Sequence, residues 1–88
     1  MGLVKDPAAV LDYGWDWSQW LAEGDVITDH AVTAPEGLTV ESHEATPTTV
    51  TAWLSGGTPG QVYSVVCHIV TAQGRTDERT LTLPVLDR

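Results

Sequence analysis

The sequence predicts an all-β, two-layer sandwich of about seven antiparallel strands. Three observations carry the prediction. Helix formers never sustain a 3.6-residue apolar pattern over three turns. Thr, Val and Trp dominate the candidate elements, and these residues fit a pleated, half-buried surface. Turn residues punctuate the chain about every eight to twelve positions, the spacing of a sandwich or small barrel.

From the N-terminus, Tyr13, Trp15 and Trp17 alternate and share one face, while Trp20 breaks the parity. A strand to about Trp17 followed by a turn over Ser18–Ala22 accounts for this. Glu23-Gly24-Asp25 is a turn. Val26–Thr33 is the next strand, and its inward face stays open because Val26/Val32 and Ile27/Ala31 compete. Ala34-Pro35-Glu36-Gly37 turns the chain, Leu38 and Val40 face in, and His43–Pro47 is expected as a polar loop.

The second half reads more clearly. Val50, Ala52 and Leu54 occupy one face of a strand, with the threonines and Trp53 on the other. Three glycines and a proline in Ser55–Gly60 break it. Gln61–Ala72 is the longest strand, with Tyr63, Val65, Cys67 and Ile69 facing in. Its other face carries Val62, Val66 and Val70 beside Ser64 and His68, which suits a central strand or a partner-covered back. Gln73-Gly74 is a hairpin turn. Thr80–Val85 returns with Leu81, Leu83 and Val85 inward, and Pro84 marks an edge, a bulge or a strand end.

At 88 residues the chain is expected to be one domain, 1–88, with a thin core. A hydrophobic fraction of 42% excludes a disordered chain. The net charge of −8 removes the electrostatic drive for binding nucleic acid or an anionic membrane. Cys67 is the single cysteine, so no intrachain disulfide forms. The opening Met1–Pro7 lacks a signal-peptide core and no run is long enough to span a membrane, which implies a cytoplasmic origin.

Leu54–Val65, followed by Cys67 and Ile69, resembles the penultimate-strand region of fibronectin type III and bacterial immunoglobulin-like domains. There a Leu, a Gly/Pro loop and a Tyr precede the alternating strand, and the Tyr hydroxyl closes a corner onto nearby backbone. Tyr63 holds that place. The chain over about residues 5–86 is also similar to small immunoglobulin-like virion proteins of tailed bacteriophages and prophages, described as fibre-to-tail adaptors or tail-associated proteins. The matching residues are Lys5-Asp6-Pro7, Leu11-Asp12-Tyr13, Asp16-Trp17-Ser18, Trp20-Leu21, Gly24-Asp25, Ile27, Pro35, Gly37–Val40, Trp53–Gly57, Thr71, Gly74-Arg75 and Arg79. Relatives carry Trp near position 32, where this chain has Val32. The resemblance implies a sandwich and a virion role in the tail or neck.

Four Trp and no Phe make the aromatic content unusual. Trp fills cores, yet it is also enriched at protein interfaces. Trp15, Trp17 and Trp53 are therefore candidate interface residues, with Trp53 the best placed for exposure. Stacking on sugar would need two or three coplanar exposed aromatics. Arg75, Arg79 and Arg88 cluster near the last hairpin, and Arg75 and Arg79 are candidates for pairing with acids of a neighbouring subunit. Asp6, Asp12, Asp16, Asp25 and Asp29 lack calcium-loop spacing. His30, His43 and His68 lack zinc-ligand spacing, and Cys67 falls on an apolar face, so no metal, cofactor or catalytic residue is expected.

These readings converge on a non-enzymatic virion protein of a phage or prophage. It would contact other virion proteins, oligomerise on a symmetric tail and reside in host cytoplasm before assembly. The competing class is an adhesion or carbohydrate-binding domain.

Overall fold

The computed structural model describes residues 10–85, all in β-strands and their connections. Lys5, Asp6, Pro7 and Arg88 lie outside the described residues. Six strands run β1 Leu11–Asp16, β2 Ile27–Thr33, β3 Leu38–Ala45, β4 Thr49–Gly56, β5 Val62–Thr71 and β6 Thr76–Pro84. They form two three-stranded antiparallel sheets, ordered β1-β4-β3 and β2-β5-β6. The described residues thus contain six strands where about seven were expected. Among them, no helix is long and apolar enough to cross a membrane.

The two central strands are the ones with the cleanest alternation. Val50, Ala52 and Leu54 of β4 are fully buried, as are Val65, Cys67 and Ile69 of β5. Tyr13, Trp15 and Trp17 close the core from β1 and the residue after it, while Leu83 and Val85 close it from β6 and the residue after it. β5 is the longest strand and lies in the middle of its sheet, one of the two placements that its apolar character on both faces allowed. β6 begins at Thr76, four residues before the expected Thr80, because Arg75 accepts the Thr71 amide across a tight Gln73-Gly74 turn and pairing starts at once. Pro84 sits at the end of this edge strand, opposite Val62.

Two bulges set the remaining strands. In β2 the register shifts between Ile27 and Asp29, so Thr28 is an extra residue. Ile27 pairs with buried Thr71 before the bulge, and His30 and Val32 pair with buried Ile69 and Cys67 after it. The competing parities are thus both partly right: Ile27 and Val32 pack against the core, while Val26 and Ala31 are exposed. In β3 the shift falls between Val40 and Ser42. The strand then continues to Ala45, so His43–Ala45 is strand and not the polar loop expected there.

Tyr63 locks the connection between the sheets. Its hydroxyl accepts the Thr58 amide at 2.8 Å, the corner that its position predicts. Bare backbone is required next to this corner: Gly57 has φ 98°, and a Cβ there would lie 2.7 Å from Val85 Cγ2. At the other end, Asp25 ties the β1–β2 connection to the last hairpin, since its Oδ1 accepts amides from Val26 and Gln73 at 3.0 Å each.

Candidate interaction surface

The sandwich offers two outer sheet faces and two sides where strands of opposite sheets meet. The five residues expected at an interface distribute unevenly among them.

Trp15 and Trp17 belong to the core, 7% and 0% exposed. Alternation correctly placed them on one face with Tyr13; that face is the inner one. Trp17 follows the last residue of β1, so its indole reaches across the gap between sheets to β6. There Nε1 donates to Asp77 Oδ2 at 2.8 Å. The Trp15 Nε1–H, in contrast, has no hydrogen-bond acceptor among the described residues.

Arg79 and Arg75 cover the tryptophans of the 16–20 turn. The Arg79 guanidinium stands 4.8 Å from the Trp17 ring centroid, donates to the Asp16 carbonyl at 2.7 Å and pairs with Asp77 at 3.4 Å. Arg75 lies 4.0 Å from the Trp20 ring centroid and its guanidinium donates to the Trp20 carbonyl at 3.4 Å. Both arginines are half-buried and engaged within the chain. A planar, weakly hydrated guanidinium suits this stacking better than an ammonium would. The hydrogen bond from Trp17 is the largest influence holding the Asp77 carboxyl below the usual carboxylate range, with the Glu78 amide and Arg79 assisting.

Trp53 is the exception among the four. It lies on the outer face of β4, half-buried, opposite Asp12 of β1 and Ser42 of β3. Thr49, Thr51 and Ser55 share this face on the central strand. Asp12, Gly14 and Asp16 flank it on one side, and Thr39, Ser42 and Glu44 on the other. The Ser55 hydroxyl donates to the Glu41 carboxylate. Asp16 accepts the Ser18 amide at 2.8 Å, which lowers its pKa. The result is one large aromatic in an acidic, threonine-lined field.

The outer face of the other sheet is different. Val62, 62% exposed, leads a row with half-buried Val66 and Val70 along β5. Ala31 and Thr33 lie beside it on β2, and Thr76, Thr80 and Thr82 on β6. Its charged residues are Asp29 and a pair in which Glu78 Oε2 lies 3.2 Å from His68 Nδ1. This face carries less charge than the one around Trp53.

Cys67 is fully buried, and burial pushes its thiol up to about 11, away from the thiolate. Among the described residues, no group of three His, Cys, Asp or Glu gathers around a point that could hold a metal ion. Sugar stacking finds a single outward Trp on its sheet face, with Trp15 and Trp17 buried and Trp20 under Arg75. Sequence reasoning missed the His30–His43 contact, in which two ring nitrogens of opposite sheets lie 2.8 Å apart, because two bulges create it.

No curated protein matches the chain. The sequence model of a phage family, described as podophage GP4 fiber-tail adaptor protein gp77, matches residues 5–84. That span takes in all six strands, the Trp17–Asp77 clasp and both outer faces. The chain belongs to this fiber-tail adaptor family.

Proposed function

We propose that this chain is a non-enzymatic assembly module of a tailed phage or prophage virion, joining tail or neck components through protein–protein contacts. The observation that carries the reading is a pair of outer faces with unlike chemistry on one rigid sandwich. An adaptor must hold two different neighbours, and two unlike faces let it tell them apart. The acidic face around Trp53 suits a basic partner surface, with Trp53 as its anchor. The valine–threonine face of β5, β2 and β6 suits a flat apolar one. Arg75 and Arg79 then act at the interface only through the 16–20 turn they brace, and Trp15 and Trp17 only by fixing β1.

The strand order supports a more specific fold. β1-β4-β3 and β2-β5-β6 correspond to strands B-E-D and C-F-G of a constant-type immunoglobulin sandwich, and Tyr63 occupies its tyrosine corner. We read the chain as a single immunoglobulin-like domain. It is made in host cytoplasm and then incorporated in several copies around the tail axis.

Incorporation of variants into virions tests this reading. Trp53→Ala and Val66→Glu each change an outer face without entering the core. Both variants should fold normally by circular dichroism yet be depleted from purified particles. Folded variants incorporated at wild-type levels would remove both faces as docking surfaces.

A further inference from the structure

One side-chain cluster is used neither by the core nor by the outer faces. His30 and His43 are thirteen residues apart in sequence and on different sheets, yet His30 Nε2 and His43 Nδ1 lie 2.8 Å from each other. Their rings meet edge to face, at 85° with centroids 4.8 Å apart. Each histidine reaches this position by the same device. Thr28 is the extra residue of the β2 bulge and Glu41 that of the β3 bulge. Either strand without its bulge would turn its histidine to the outer face, since a one-residue shift inverts every later side chain.

We infer that His30 and His43 form a binding site for a divalent ion that favours imidazole, zinc or copper(II), linking the two sheets where β2 meets β3. Imidazole nitrogen selects these ions over hard cations such as calcium or magnesium. Metal–nitrogen bonds of about 2.0–2.1 Å place two neighbouring ligands about 3 Å apart. Holding one ion therefore requires the rings to separate by a few tenths of an ångström and to turn so that both nitrogens face it.

One ring N–H now donates to the other ring. On binding, that proton moves through solvent to the donor ring's second nitrogen. Both facing lone pairs then point at the ion, and no net proton is released. An open groove of about 360 Å³, lined by His30 together with Ile27, Thr28, Ala45 and Thr46, borders the His30 side of the pair. With two protein ligands, the remaining positions are filled by water or by a donor from a neighbouring protein. Cys67, buried and protonated, does not compete. His68 lies on the outer face of its sheet with Glu78 and serves as an internal control.

Calorimetric titration of the untagged full chain with zinc chloride and with copper chloride tests the site, alongside thermal melts with and without each ion. The wild type should bind one equivalent of at least one ion and melt higher with it. His30→Ala and His43→Ala should each lose about tenfold or more in affinity, as removal of a ligand or its support does, and should lose the melting shift. His68→Ala should behave as wild type, and His43→Gln keeps the strand polar if either alanine variant misfolds. No saturable binding of either ion, or binding that survives loss of both His30 and His43, would overturn the inference.

Discussion

Where the end of β1 meets β6, an indole, a carboxylate and a guanidinium interlock; where β2 meets β3, two imidazoles touch at the surface. Trp17 is fully buried and hydrogen-bonded to Asp77, with Arg79 over its ring. His30 is only half-buried and His43 is exposed. The first side combines a large apolar area with a part-buried charge-assisted hydrogen bond, which is the combination that fixes two sheets in register. The second relies on a single contact between small polar rings and on backbone bonds such as Ile27 to the Pro47 carbonyl at 2.9 Å. One side should therefore hold the fold, leaving the other free to change with its ligands.

The largest effect should come from the first side. Trp17→Ala should destabilise by about 3–5 kcal/mol, in line with other buried aromatic truncations. In a domain of this size that lowers Tm by at least about 12 °C, as calorimetry would show. A loss under about 1 kcal/mol would mean that the indole is not the main tie between the sheets.

A smaller effect should follow from acid. The folded-state pKa of Asp77 is lowered, chiefly by the Trp17 hydrogen bond. Asp25 is lowered too: burial works against it, and hydrogen bonds from Thr71, Gln73 and Val26 together with nearby Arg75 outweigh that. A depressed carboxyl pKa stabilises the folded state at pH values above the unfolded pKa, near 4. That stability is lost as pH falls through the folded pKa. Urea midpoints should therefore be flat from neutral pH down to about 4 and drop below it. Asp77→Asn should shrink the drop; an unchanged acid limb would show that Asp77 is not bound as described.

The smallest effect belongs to the second side. With chelator present, His43→Ala should change stability by less than about 0.5 kcal/mol, because the residue is exposed on an edge strand. A loss comparable to that of Trp17→Ala would erase the contrast between the sides.

The parts legible in the sequence share a feature: unbroken alternation. β4 and β5 bury the residues whose parity the sequence displays, and the Tyr63 corner follows from a local Leu–Gly/Pro–Tyr pattern. Strands β2 and β3 were harder because Thr28 and Glu41 are ordinary strand residues, and neither announces an inserted position as a glycine would. Trp17 and the arginines resisted for another reason. Alternation says which residues share a face but not which face meets the second sheet, and the Trp17–Asp77 bond spans sixty positions. Arg75 and Arg79 looked like outward-facing charges, whereas β6 pairing puts Asp77 and Arg79 opposite buried Ile69 and Cys67. The acidic balance of the chain hid the fact that two of its four cations brace its own aromatic turn.

The most direct test of the adaptor account is a cryo-electron microscopy map of the assembled tail with this chain in place. The account predicts that Trp53 and the Val62–Val66–Val70 row are covered by different neighbours, while Trp17 keeps its bond to Asp77 inside the chain. A tail in which both outer sheet faces stay bare, or in which one and the same neighbour covers both, would contradict it.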